Sequence, residues 1–190
     1  VMDAAGDALG IATGSVGNAL YSGAQMLGDQ ISSMGGSGAK TAERNLIEMA
    51  MQAGVTNPTE LAMMLGQIAE ETGDFKRVRE IGNDAYFAKY NNNKGLGNGP
   101  NDGARYKGRG YMQLTGRANY EAFSKWAKKD FVSQPELLEK EPWASLSAVW
   151  FWTHHPNMTR LGRAAAQRGD IIGNTKAVNG PGMKNLDVRK

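Results

Sequence analysis

The chain has 190 residues, 41 % of them hydrophobic and 22 % charged, with a formal net charge of +3 and no cysteine. That is the length of one domain with enough apolar side chain for a real core, and the lack of cysteine excludes disulfides and thiolate metal sites. No apolar run approaches the ~18–20 residues of a membrane span, and no basic-then-apolar secretory signal is present. Residues 1–39 hold Asp3, Asp7 and Asp29 and no basic residue, so the remainder carries the whole positive balance. A basic main domain points to an anionic partner. Its basic residues are scattered without a dense run, which disfavours nucleic acid and leaves a bacterial wall.

Taken in order, residues 1–34 are rich in Gly, Ala and Ser, with a weak helical stripe through Met2, Leu9, Val16, Leu20, Leu27 and Ile31. Gly6, Gly10 and Gly14 stand four apart, a line of small residues that permits close helix contact. So many glycines leave an isolated helix marginal, so the segment reads either as a helix packed on a partner or as a flexible tail. Ser33 to Gly38 is a linker. A first helix is predicted from about Thr41 to Ala53, with Leu46, Ile47, Ala50 and Met51 inward and Gly54 as its stop. A second starts at Asn57 as N-cap, with Pro58 at the first position and Leu61, Met64, Leu65 and Ile68 on one face. Residues 81–110 form a long Gly-, Asn- and Asp-rich loop around the aromatic segment Tyr86, Phe87 and Tyr90. Loops this long in a compact domain are usually functional. Tyr111–Leu114 reads as a short strand. A helix follows with Tyr120 and Phe123 inward, then a strongly apolar one from Trp143 to Thr153 that should be buried centrally. Helices at about 158–167 and 170–179 close the domain, Asp170 capping the second. The expected fold is mainly α, with little or no β.

Two acids organise the chemistry. On the second helix Glu71 falls at the edge of the apolar face and Glu70 roughly opposite it, at ~100° per residue. A half-buried carboxyl keeps its proton more readily than a solvated one. Gly73 breaks the helix, and the chain can then swing Glu80 round to face Glu71. One shielded acid facing one wetter acid is what glycosidic bond hydrolysis needs; two surface glutamates at a charged helix end is the plainer alternative. Downstream, RYKGRGYMQLTGRANY combines Gly108 and Gly110, which allow close backbone approach, with Tyr106, Gln113, Thr115 and Asn119. Neutral hydrogen-bonding side chains beside aromatics suit a sugar. No Gly-Lys-Ser/Thr follows, so a phosphate loop is weakly supported. His154 and His155 are adjacent and cannot share a helix face as metal ligands do, so neither a metal nor a cofactor is expected.

AEETGDF resembles the A-H-E-S-G-G-F signature of glycoside hydrolase family 19, the chitinase and phage endolysin family. YKGRGYMQLTGRANY is similar to that family's Y-x-G-R-G-x-x-Q-(L/I)-(S/T)-x-x-x-N-Y, VWFW to its buried aromatic helix, and TKAVNG to its closing T-x-x-(I/V)-N-G. The resemblance implies a bilobed, lysozyme-like helical domain over residues 39–190, with residues 1–38 as an extension outside it. By position it makes Glu71 the catalytic acid, Glu80 the base, and Thr115 the group that helps hold the attacking water. Tyr106, Gln113, Asn119 and Asn179 match sugar-binding positions, and Arg189 a C-terminal arginine near the acid. Glu70 departs from the family's usual His, Pro181 interrupts the usual N-G-G, and the chain stops short of further helix. The implied activity is inverting hydrolysis of the β-1,4 bond between the amino sugars of peptidoglycan, with chitinase, lytic transglycosylase or a non-catalytic wall-binding or virion module as alternatives. Without a secretory signal, the expected course is synthesis in the cytosol and action in the bacterial wall or periplasm. A chain beginning with Val suggests an excised lytic domain of a phage or antibacterial delivery protein, docked through residues 1–38 to a carrier or virion protein.

Overall fold

The computed structural model describes residues 38–180. The readings made on the extension and its linker, and those on Pro181 and Arg189, lie outside these residues. Eight α-helices are described: α1 Gly38–Gln52, α2 Pro58–Thr72, α3 Asp84–Phe87, α4 Asp102–Arg105, α5 Arg117–Ala127, α6 Trp143–His154, α7 Arg163–Gln167 and α8 Ile171–Asn179. Short 3-10 turns at Ala88–Tyr90, Lys94–Leu96 and Pro135–Glu139 join them, and a π-helical turn, Met158–Gly162, leads into α7. No strand occurs among the described residues; the only β pairing there is two isolated bridges, Arg79 with Arg109 and Arg109 with Leu114. No helix among the described residues is long and apolar enough to cross a membrane.

Helix α6 is the centre. Every residue from Trp143 to Trp152 is buried, because a helix apolar on all sides must be surrounded by protein. Helix α1 packs against it, with Leu46, Met49 and Ala50 in the core. Met51, expected inward, is 52 % exposed. The inward face runs through 42, 46, 49 and 50, a three-four spacing that leaves position 51 on the far side.

Helix α2 carries the first acid. The Asn57 side chain accepts from the Glu60 N–H at 3.0 Å, and Gly73 ends the helix in the left-handed conformation with φ 60°. Met64 and Ile68 are fully buried, and Gln67 Nε2 donates to the buried Thr175 Oγ1 of α8 at 3.1 Å. Glu60 lies at the foot of the same helix and is only 1 % exposed. It accepts from Arg163 Nε at 2.5 Å, Gln167 Nε2 at 2.8 Å and Trp152 Nε1 at 3.1 Å. Burial alone would push this carboxyl up; the bonds from Arg163, Gln167 and Trp152 outweigh it and hold the group below its ordinary value.

The segment Tyr111–Leu114 is a reversal, not the expected strand. The Gln113 N–H donates to the Gly110 carbonyl at 3.0 Å, and Arg109 and Leu114 exchange both backbone bonds at 3.2 and 2.7 Å. Gly110 (φ 71°) and Gln113 (φ 51°) are both left-handed, a conformation that closes a tight loop and cannot continue an extended one. Gly110 is also fixed by space: a Cβ there would stand 2.3 Å from Ser147 Oγ. The reversal therefore rests directly on buried α6, and the Tyr111 N–H donates to the Ala144 carbonyl.

Candidate active site

Past Gly73 the chain takes two more left-handed residues, Asp74 (φ 60°) and Phe75 (φ 61°). The turn is held by the Asp74 N–H on the Ala69 carbonyl and the Arg77 N–H on the Thr72 carbonyl, both at 2.9 Å. The buried Thr72 hydroxyl accepts from the Phe75 N–H at 2.8 Å, and the Phe75 ring meets Tyr111 edge-on at 6.2 Å. The reversed chain then pairs with the glycine-rich segment: the Gly110 N–H donates to the Val78 carbonyl at 2.9 Å and the Glu80 N–H to the Gly108 carbonyl at 2.8 Å. This lays Glu80 against the loop that leads to Gln113 and Thr115.

The result is one open cleft of about 390 Å³, lined by Glu71, Arg77, Arg79, Glu80, Ile81, Tyr90, Gln113 and Thr115. Both acids are half-buried. Glu80 is fully oriented: Oε1 accepts from the Tyr90 hydroxyl at 2.9 Å and Oε2 from the Gly108 N–H at 3.1 Å. Burial, then the Glu80 carboxylate, pushes the Tyr90 phenol up, so it keeps its proton and donates it in this bond. Thr115 Oγ1 donates to the Gln113 carbonyl at 2.7 Å and Gln113 Nε2 to the Gly110 carbonyl at 3.0 Å. Gly108 leaves room for both side chains; a Cβ there would lie 2.9 Å from Gln113 Oε1 and 3.2 Å from Thr115 Oγ1.

The lip of the cleft, residues 81–105, is pinned rather than loose. Arg117 Nε and Nη2 bind the Asp102 carboxylate at 2.7 and 2.9 Å, and that carboxylate also accepts from the Gly99 N–H at 2.7 Å. The Asn98 side chain bridges the Tyr90 carbonyl and the Arg117 N–H. This mesh fixes the short turn that presents Tyr90 to Glu80.

With this geometry in view, the comparisons are specific. The chitinase class I family model matches residues 40–174, a stretch that takes in both acids and Thr115. The chain belongs to glycoside hydrolase family 19. A family 19 domain-containing protein of Haemophilus influenzae is 30 % identical over 167 residues, covering 73 % of this chain and 78 % of that one. The acidic endochitinase of Petunia hybrida is 33 % identical over 96 residues, 49 % of this chain and 35 % of its own; the chain thus spans about a third of that plant enzyme. Among solved structures, chitinase C of Streptomyces griseus superposes with a TM-score of 0.51 at 21 % identity, over 69 % of this chain and 55 % of the other. A bacterial family 19 chitinase gives 0.52 at 22 % identity, over 88 % and 71 %. These two likenesses speak for the fold, a lysozyme-like helical one. The chain is a glycoside hydrolase.

The family-matched positions divide into those that reach the cleft and those that support it. Glu71, Glu80, Thr115 and Gln113 line it together. Tyr106, expected to touch sugar, is 1 % exposed, with its hydroxyl on the Val132 carbonyl at 3.2 Å and its ring 5.2 Å from Tyr120. It sits in the core because the turn that follows α4 points it under the loop. Asn119 Nδ2 donates to the Thr115 carbonyl at 2.9 Å, so Asn119 braces the loop that carries the expected water-holding residue. Asn179, the last residue of α8, is half-buried and does not line the cleft. Sequence reasoning passed over Arg77, Arg79, Ile81 and Tyr90. The first three flank Glu80 in the chain, a signal that was available; the Tyr90 contact depends on a ten-residue excursion that no periodicity encodes.

Proposed function

We propose that the chain is a peptidoglycan hydrolase that cleaves the β-1,4 bond between amino sugars with inversion. The observation that carries the reading is the convergence of Glu71 and Glu80 on one cleft with Thr115 and Gln113. Glu71 gives its proton to the glycosidic oxygen as the C1–O bond breaks. Glu80, whose two oxygens accept from the Tyr90 hydroxyl and the Gly108 N–H, takes a proton from a water that attacks C1 from the opposite face. Thr115 steadies that water. Inversion requires carboxyl groups roughly 6.5–9.5 Å apart, with room for the water between them. The absence of cysteine and the basic balance of the main domain support a wall polymer over the chitin of secreted plant enzymes. Chitin is the second reading, favoured by the named chitinases among the relatives.

The deciding experiment is reducing-end release from purified walls and from chitin side by side. Wild type is expected to clear walls, and Glu71→Gln and Glu80→Gln each to lose about 10²–10⁴-fold in rate with an unchanged melting temperature. Wall clearing by Glu71→Gln at full rate removes Glu71 as the acid. Anhydro ends in the mass spectrum would turn the reading into a transglycosylase, and binding without any cleavage into a wall-binding module. Residues 1–38 belong in this proposal as a docking extension of a phage or antibacterial delivery protein acting in the wall. Their deletion is expected to leave activity on isolated walls nearly unchanged; loss of folding would make them part of the domain.

A further inference from the structure

Two of the cleft's walls are guanidinium groups, and the acid–base reaction uses neither. We propose that Arg79, together with Arg77, forms a subsite for a carboxylate carried by the glycan, a proposal that rests on the wall-polymer reading above. Arg79 is fixed from behind by its backbone bridge to Arg109. Among the described residues its ion-pair partner is Glu139 at 3.5 Å, and that carboxylate is already engaged by the Arg109 Nε at 2.8 Å. Two guanidinium groups therefore share one carboxylate, leaving the trio with one positive charge in excess. Arg109 is turned away from solvent: its side chain is 7 % exposed, and Nη1 donates to the Arg105 carbonyl at 2.8 Å and to the Tyr120 hydroxyl at 3.0 Å. Arg79, 58 % exposed, is the member of the trio that faces the cleft.

Arg77 enters the same cleft from the start of the turn. Its guanidinium lies over the bare face of Gly73, where a Cβ would stand 3.0 Å from Nη2. A planar guanidinium binds a carboxylate through two parallel N–H bonds, which a hydroxyl cannot match. Chitin, a polymer of N-acetylglucosamine, has no carboxylate. Peptidoglycan offers one on the lactyl ether of alternate sugars when that group is free, and others along the stem peptides when it is substituted. Ile81, 76 % exposed on the same cleft, provides an apolar neighbour for the lactyl methyl group.

The test is calorimetric titration of the full-length Glu71→Gln protein with three tetrasaccharides: chitin, muramic acid-containing strands with free lactyl groups, and the same strands with stem peptides. In low salt a carboxylated strand is expected to bind about 5–10-fold tighter than chitin, and added salt to erode the advantage. Arg79→Gln in that background should bring the ratio to within about 2-fold, while Arg79→Lys keeps part of it. The two muramic arms show which carboxylate is read. Equal affinity of all three sugars, or an equal loss for all three on Arg79→Gln, overturns the subsite. If Arg79→Gln does not fold, the Arg79→Lys and Arg77→Gln ratios decide by the same criterion. Failure of the wall reading looks different, since wild type would then cleave chitin and spare walls whatever these ratios are.

Discussion

Glu60 is eleven residues before Glu71 on α2, about three full turns, so the two share a face of the helix. One end of that face is clamped by Trp152, Arg163 and Gln167, and the other presents the acid. Glu60→Ala is therefore expected to weaken the fold and misplace Glu71. Breaking a buried ion pair typically costs about 3–5 kcal/mol. Here the Arg163 side chain is 27 % exposed and rehydrates in part, which lowers that figure. The Trp152 ring is fully buried, so its N–H is left without an acceptor, at about 1–3 kcal/mol. The two together give a loss of about 3 kcal/mol, or about 10 °C in melting temperature for a chain of this size. Urea unfolding followed by far-UV circular dichroism measures it. The pH dependence adds a check. A carboxyl held below its ordinary value of 4.5 contributes stability that is complete above that value and is lost as pH falls through the folded one. The gap between wild type and Glu60→Gln should thus be flat from about pH 5 to 8 and close only in stronger acid. A Glu60→Ala loss under about 0.5 kcal/mol, the range of an ordinary surface change, would refute the clamp.

Tyr90→Phe keeps the ring that stacks on Phe87 and removes only the hydroxyl on Glu80; kcat should fall by about 10-fold with KM little changed, the share of one hydrogen bond to a charged group. Thr115→Ala should lower kcat more than it raises KM in the same assay, and an effect confined to KM would move the water site elsewhere. Gly110→Ala meets both Ser147 and an unfavourable φ, so a loss of about 2–3 kcal/mol is expected; a Ser147→Ala background should recover the steric part, read as a coupling in a double-mutant cycle.

Helix α2 was legible in detail, because its cap, its proline, its apolar face and its stop are all local signals. Helix α6 was legible because a run of apolar residues bounded by Pro142 and the histidines has one sensible place, the middle. That Glu71 and Glu80 would come to one cleft was legible through Gly73 and the residues on either side of it. The reversal at Tyr111–Leu114 misled because Tyr, Met and Leu suit a strand, while Gly110 and Gln113 decide the backbone; packing on Ser147 overrides propensity there. Tyr106 misled for a related reason. An aromatic beside glycines suits a sugar site and a core equally, and only the long-range contact with Val132 separates them. Nothing local marks Glu60 apart from an ordinary first-turn acid; its burial depends on Arg163 and Gln167, more than a hundred residues away.

The three left-handed residues after α2 have a mechanical consequence. A bulky residue such as Phe75 holds that conformation only at a cost of about 1–3 kcal/mol, so its surroundings must enforce it. The enforcers are the Thr72 hydroxyl and the Tyr111 ring, neither of which lines the cleft. The gauge between acid and base is therefore cut by a stiff bend within one short stretch of chain. A substitution that loosens this bend, at Thr72 or Tyr111, would therefore change the distance across which water and proton must be passed without touching any group that lines the cleft.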